Sequence, residues 1–403
     1  MPVNLNLADG IAIDGISLSS LSAGIKADGS SDLLLVQLPS SSTCAGVFTR
    51  NIFCAAPVTV ARQHLQQCNG SVRAFLINSG NANAGTGQPG IDMAIEHCAA
   101  VANAINVQTE QVLPFSTGVI GQLLPHQNML NGIVNAAAST DNDWPGAARC
   151  IMTTDTAPKL TSKQVTIDGR TITVTGMAKG AGMIQPNMAT MLAYLFTDAS
   201  VNPQDLQTTL EQSVAGSFNS ITVDSDTSTN DACMLVATGR SVQLDNSHKD
   251  WPDFVRTVAD VALQLAQAIV RDAEGASKFI TVSVSGGSDL AQCRQVGLAI
   301  ANSPLVKTAM FASDANVGRL LMAIGKTEIA ELNANNIRVS IGDVCAFEHG
   351  GIAPEYTEER GAAVMAADEI GISVELGNGT ASTSIYTSDL SHDYISINAD
   401  YRS

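Results

Sequence analysis

Short apolar runs bounded by Gly, Ser or Asn set the pattern of the first eighty positions. On that pattern Leu33 to Leu38, Ala45 to Thr49, Pro57 to Ala61 and Arg73 to Asn78 predict strands. The period then lengthens, and a helix is expected over Ile91 to Asn106. Val165 to Ile167 and Thr171 to Val174 flank Asp168-Gly169, a dipeptide suited to the two positive-φ positions of a tight hairpin turn. Antiparallel sheet is implied.

Helix starts are written at Asn202-Pro203 and Asp250-Trp251-Pro252, where a capping side chain precedes a proline that already has a helical φ. The helices expected from them cover Pro203 to Phe218 and Pro252 to Asp272, the second with Phe254, Val258, Val261, Leu263, Leu265 and Ile269 on an apolar stripe. Helices also fit Leu290 to Ala301, Val317 to Ile324 and Thr357 to Ile370. Strands fit Phe279 to Val284, Ile337 to Ile341, Thr383 to Tyr386 and Tyr394 to Ile397. Because helices and strands do not alternate strictly, an α+β layered architecture is expected in preference to a doubly wound parallel sheet. A border is signalled only at Gly286-Gly287-Ser288.

Charge narrows the partners. With Lys plus Arg 21 against Asp plus Glu 38, the 403-residue chain carries a net charge of -17, which argues against nucleic acid and anionic lipid surfaces. No run of about eighteen apolar residues offers a membrane span, and a soluble cytoplasmic protein is expected. Eight cysteines are dispersed without a Cys-x-x-Cys, as structural thiols in a reducing compartment would be. Six scattered histidines form no ligand cluster, so no metal is expected.

Gly85-Thr86-Gly87-Gln88-Pro89-Gly90 imitates a dinucleotide fingerprint. Six residues, Ser79 to Ala84, separate it from the preceding strand, whereas the fingerprint needs its first glycine in the turn itself. The segment from Gly176 to Ala193 is denser in chemistry, with Lys179 among glycines and Thr190 opening an apolar strand that ends near Phe196. A threonine in a strand and a Gly-Lys loop are also ordinary structural features. Ser116-Thr117-Gly118-Val119-Ile120-Gly121 has a hydroxyl and a glycine amide side by side, suited to an anion or simply to a turn.

These residues together carry a resemblance. Asn78-Ser79-Gly80-Asn81-Ala82-Asn83-Ala84, Thr117-Gly118, Met152-Thr153-Thr154-Asp155-Thr156, Lys179 to Leu192, Asp272-Ala273-Glu274-Gly275-Ala276 and the terminal Asn398-Ala399-Asp400-Tyr401-Arg402-Ser403 resemble the ornithine acetyltransferase family. These are the bifunctional glutamate N-acetyltransferases of the acetyl-recycling arginine pathway. The likeness extends over essentially the whole chain, with Ala181 where many relatives have Ser and Ser403 where many have Thr.

The resemblance implies self-cleavage between Ala189 and Thr190, after which Thr190 is the nucleophile. Thr117 and Gly118 match the oxyanion hole, and Thr153, Lys179, Thr190, Glu274, Asn398 and Ser403 match positions that contact substrate. The implied fold is an αββα sandwich like that of N-terminal-nucleophile hydrolases, over 1–285, with a smaller C-terminal α/β domain, 286–403, whose tail returns to the active site. A dimer of cleaved α/β protomers, a heterotetramer in fragments, is also implied. Acetyl would pass from N-acetylornithine to glutamate without a cofactor, acetyl-CoA being open as a co-substrate. A freed α-amino group with pKa near 8 would serve as base. Lys179 would clamp the carboxylate common to both substrates, and Glu274 would read the amino end. The rival is an N-terminal-nucleophile aminopeptidase or amidohydrolase, in which water takes the acyl group.

Overall fold

The turn at Asp168-Gly169 folds as its sequence predicts. In a computed structural model, which describes residues 1–185, 191–329 and 332–400, Asp168 has φ 48° and Gly169 φ 75°. Strands Lys159–Ile167 and Arg170–Lys179 pair antiparallel across it, from Ile167↔Arg170 to Lys159↔Ala178. They form one side of a five-stranded sheet whose order is Thr43–Phe48, Ala232–Ala237, Leu192–Thr197, Arg170–Lys179, Lys159–Ile167. Two of the three inner strands, Leu192–Thr197 and Ala232–Ala237, are buried at every position, which is why their sequences are continuous apolar runs rather than alternating ones.

A four-stranded sheet, Ser17–Leu21, Leu33–Gln37, Ala74–Asn81, Val112–Val119, faces the first. Between them Leu34, Val36, Phe75, Ile77 and Phe115 meet Met177, Tyr194, Phe196, Met234 and Val236 in one buried cluster. Aromatic edges fix the contact: Phe75 and Phe115 have ring centroids 5.5 Å apart in a T-shape, and each lies within 5.6 Å of Tyr194. The opposite face of the four-stranded sheet, through Leu33, Leu35, Ala74 and Leu76, packs on Cys98, Val101 and Ala102 of helix Gly87–Ile105 and on Met129 and Ile133 of helix His126–Ala138. Helix Pro203–Gly216 lies against the five-stranded sheet, so the layers are helix, sheet, sheet, helix. Asn202 caps that helix by accepting from Asp205 N at 2.9 Å.

This sandwich is one compact unit, Asn6–Asn219 with Asp226–Ile269. The second unit comprises Met1–Leu5, Ser220–Ser225 and Val270–Tyr401. Its sheet has seven strands in the order Ile221–Thr222, Ala381–Ser388, Phe279–Gly287, Glu369–Glu375, Arg338–Ile341, Val344–Glu348, Gly351–Ile352. Val282, Val284, Ile341, Ile372, Val374 and Ile385 of that sheet pack against Val296, Ile300 and Leu320 of helices Leu290–Ala301 and Val317–Gly325. Among the described residues no helix is long and apolar enough to cross a membrane.

Three expected elements differ. Pro57 to Ala61 is the first turn and more of helix Ala56–Gln67, because proline there supplies helical φ while Val58, Val60, Ala61 and His64 all find burial. Tyr394 to Ile397 lies within helix His392–Asp400, started by Ser391, whose Oγ accepts from Tyr394 N at 3.4 Å. The helix expected over Thr357 to Ile370 stops at Met365, and Glu369–Glu375 is a strand of alternating exposed and buried residues.

One buried histidine makes the sandwich sensitive to acid. His97 on helix Gly87–Ile105 is 1% exposed, its Nε2 lies 3.2 Å from His126 Nδ1, and burial first, then the neighbouring His126, lower its pKa from 6.5 to about 4. Below pH 6.5 the unfolded chain takes up a proton that the folded chain refuses, so stability is present above that pH and is lost progressively as pH falls toward 4. The loss should reach about 3 kcal/mol. Denaturant midpoints measured from pH 7 to pH 4 should fall steeply for the wild type and much less for His97→Gln; equal slopes would show that His97 is not the source.

Candidate active site

Strand Val112–Val119 runs parallel to Ala74–Asn81, and its last residues leave regular pairing: Asn81 stands opposite both Thr117 and Val119. The irregularity is built around Gly118. Its φ of 132° and its closeness to the neighbouring strand, where an added Cβ would lie 2.2 Å from Gly80 C, restrict the position to glycine. A local break of this kind re-aims the side chain beside it, here Thr117.

Asparagines brace the break. Ser116 Oγ donates to Asn78 Oδ1 at 2.6 Å, and Asn78 Nδ2 donates to Asn81 O at 2.8 Å. Buried Asn230 spans the two strand ends, donating to Ala82 O at 2.6 Å and Ser116 O at 2.9 Å. The Asn78 to Ala84 segment is thus bonded to its neighbouring strand and to Asn230, which precedes strand Ala232–Ala237 of the other sheet. The neighbouring glycine run is tied down likewise, with Asn83 Nδ2 donating to Gly90 O at 3.0 Å and Thr86 Oγ1 to Asn83 Oδ1 at 2.9 Å.

Lys179, the last residue of strand Arg170–Lys179, reaches this place from the other sheet. It is 9% exposed, and its Nζ donates to Thr117 Oγ1 at 3.0 Å and to Thr153 Oγ1 at 2.8 Å. Behind them sits Asp155. Its Oδ1 accepts from Lys159 Nζ at 2.6 Å and from Gly180 N at 2.7 Å, and its Oδ2 from Thr153 N at 3.1 Å. The side chains of Asp155 and Lys159 are wholly buried. Burial alone would raise the Asp155 pKa, but the charges of Lys159 and Lys179 and the Gly180 N–H overcome it and hold the carboxyl well below the usual carboxylate range.

Three positions expected in one site, Thr117, Thr153 and Lys179, are therefore brought within hydrogen-bonding distance, with Gly118 next in the chain. Lys179 is also paired in register with Leu192, two residues after Thr190 in sequence. Ala189, Thr190 and Ser403 lie outside the described residues. Glu274 and Asn398 form a pair of their own in the second unit, where Asn398 Nδ2 donates to Glu274 Oε2 at 2.7 Å. Ser391 Oγ, donating to Gly275 O at 2.6 Å, ties the start of that helix to the Glu274 turn.

Asp155, Lys159 and Asn230 join the site only in the folded chain. A carboxylate and a lysine four apart, Asp155 and Lys159, are an available signal, but nothing in the spacing tells a buried pair from an exposed one. Asn230 has a fainter signal: a polar Thr229-Asn230-Asp231 run directly before an apolar strand.

Comparison with known proteins bears on this arrangement. The description of the ArgJ family matches residues 17–403. The arginine biosynthesis bifunctional protein ArgJ of Pseudomonas syringae pv. tomato is 50% identical over 404 residues, covering 97% of this chain and 96% of that protein. The protein of the same name from Pseudomonas fluorescens is 49% identical over 395 residues, with the same coverage of 97% and 96%. The crystal structure of arginine biosynthesis bifunctional protein ArgJ from Bacillus halodurans is 36% identical, with a TM-score of 0.50, covering 52% of this chain and 98% of the solved one. A match along nearly the whole length, at half the residues identical, places the chain in the ArgJ family.

Proposed function

We propose that this ArgJ-family enzyme serves arginine biosynthesis by moving the acetyl group of N-acetylornithine to glutamate through an acetyl-threonine at Thr190. The observation that carries the reading is the junction of Lys179 with Thr117 and Thr153, beside a Gly118 that only glycine can occupy. Three chain segments, remote in sequence, supply hydroxyls, an amide and a cation to one place, as acyl transfer through an oxyanion requires.

The chain first breaks its own Ala189–Thr190 peptide bond with one water molecule, which leaves a carboxylate on Ala189 and frees the Thr190 α-amino group. That amine, near pKa 8, takes the proton of Thr190 Oγ as the oxygen attacks the acetyl carbonyl. Negative charge gathers on the carbonyl oxygen, facing the Gly118 amide and the Thr117 hydroxyl. The C–N bond then breaks, the proton passes to the leaving nitrogen, and ornithine departs while the ester stays. Glutamate enters, its uncharged amine attacks the ester carbonyl, and N-acetylglutamate leaves as Thr190 Oγ regains its proton. Thr153, Lys179, Glu274, Asn398 and Ser403 are the contacts with substrate, Glu274 reading the amino end by a charge-assisted bond. Acetyl-CoA, as an alternative donor, would load the same threonine. Transfer to water, as in an amidohydrolase, is the weaker reading, since the relatives matched end to end are ArgJ proteins.

Cleavage is tested on denaturing gels. Wild type should give two fragments, the second beginning at Thr190, and Thr190→Ala a single full-length band; wild type that stays intact while fully active would remove the α-amino base.

The kinetic order follows from one nucleophile meeting two amino acids in turn. Initial rates should give parallel double-reciprocal lines, and withholding glutamate should leave one acetyl group on the fragment that begins with Thr190. Intersecting lines with no labelled fragment would mean direct transfer in a ternary complex.

A further inference from the structure

Lys179 has a place in this reaction that differs from holding a substrate carboxylate. An ammonium has three N–H donors and no acceptor, whereas a threonine hydroxyl has one O–H and two lone pairs. In the contacts of Lys179 Nζ with Thr117 Oγ1 and Thr153 Oγ1, the threonine oxygens must therefore accept. Thr117 is left with its single O–H directed away from Lys179. A hydroxyl that accepts from a cation is also the stronger donor, because the charge draws electron density from the oxygen.

Buried charged groups hold this arrangement in place. Asp155, Lys159 and Lys179 are all buried or nearly so, and the Asp155 carboxylate meets Lys159 Nζ at 2.6 Å. The carboxylate uses both oxygens on Lys159, Gly180 N and Thr153 N, which fixes the backbone on either side of the Lys179 ammonium: Gly180 directly after it and Thr153 under its second contact. The Lys179 ammonium thereby stands 3.0 Å from Thr117 Oγ1 in a mostly buried place, where charge acts strongly.

We propose that Lys179 is a positioning residue for the oxyanion hole: by donating to Thr117 it aims that hydroxyl's own proton at the developing oxyanion and sets a positive charge behind it, while Asp155, itself compensated by Lys159, holds the lysine there. The inference rests on the acetyl-threonine reading above. It changes what Lys179 does within that reading, from binding the ground state to favouring the transition state.

The two roles separate in kinetics. A carboxylate clamp acts on substrate and transition state alike, so its loss raises KM; support of an oxyanion acts as charge develops, so its loss lowers kcat. Wild type and Lys179→Met, as the full chain, are compared for acetylation of Thr190 by N-acetylornithine and by its decarboxylated analogue, N-acetyl-1,4-diaminobutane. The expected result is an acetylation rate constant about 100-fold lower for both compounds, with half-saturating concentrations within about threefold of wild type. A loss confined to the binding of N-acetylornithine, with the analogue unaffected, makes Lys179 a clamp and overturns the proposal.

Should Lys179→Met accumulate uncleaved yet melt like wild type, the cleavage rate becomes the readout, because the Ala189 carbonyl brings no substrate carboxylate to hold; about 100-fold slowing supports the proposal and an unchanged rate overturns it. If the variant does not fold, Lys179→Gln, which keeps a donor without the charge, is read by the same two criteria. Wild type that forms no acetyl-enzyme at all would defeat the acetyl-threonine reading instead, before any variant is considered.

Discussion

The buried carboxylate of Asp155 is the constraint on which the site depends. Removing such a group from water costs several kcal/mol unless its lone pairs are used and its charge is met, and a pair of this kind often adds nothing to net stability. Here Lys159 meets the charge, while Gly180 N and Thr153 N donate to two more of its lone pairs. The return on that cost is position. Two stretches that carry no regular secondary structure of their own, around Thr153 and after Lys179, are bonded to one atom group and so to each other. Loss of the carboxylate would break a wholly buried pair from one side, which is the expensive way to break it.

The sandwich supplies the frame on which this works. The strand that carries Thr117 near its end and the strand that ends at Lys179 come from opposite sheets, and their separation is set by the aromatic contacts of Phe75, Phe115 and Tyr194 between the layers. Interiors packed at crystal-like density do not adjust by an ångström without cost. A hydrogen bond from Lys179 to Thr117 thereby inherits the rigidity of the core beneath it. The approach of Gly118 to the Gly80 backbone serves the same end, since a Cβ on Gly118 would lie 2.2 Å from Gly80 C, and only without it can the strands come close enough for Asn81 to stand opposite both Thr117 and Val119.

Much of the fold was legible because local chemistry and tertiary demand agree. The Asp168-Gly169 hairpin, the Asn202 cap and the stripe on helix Trp251–Arg271 each state one structure, and the molecule adopts it. Where they disagree, burial decides. Val58 and Val60 favour a strand by propensity, yet Pro57 opens a helix that buries both; Tyr394 to Ile397 is β-like in composition, yet Ser391 caps a helix there. In the candidate site, Thr117, Thr153 and Lys179 were readable through a family resemblance, whereas Asp155 and Asn230 act through partners remote in sequence. Their hydrogen bonds to Gly180, Ala82 and Ser116 join segments that periodicity and spacing cannot bring together.

The order of strands in the five-stranded sheet has a consequence for the molecularity of folding. Leu192–Thr197 and Ala232–Ala237 form its centre, with Thr43–Phe48 on one side and Arg170–Lys179 and Lys159–Ile167 on the other. A break in the chain before Thr190 would put the two central strands on one polypeptide and their neighbours on the other. Folding as one chain, the sheet assembles in an order that dilution does not affect. Reassembly from two chains would be second order, opposed by the translational freedom that the peptide bond had removed. Such a protein has its native state within easy reach once, at synthesis, and thereafter its endurance is governed by the rate at which it opens rather than by an equilibrium with its unfolded parts.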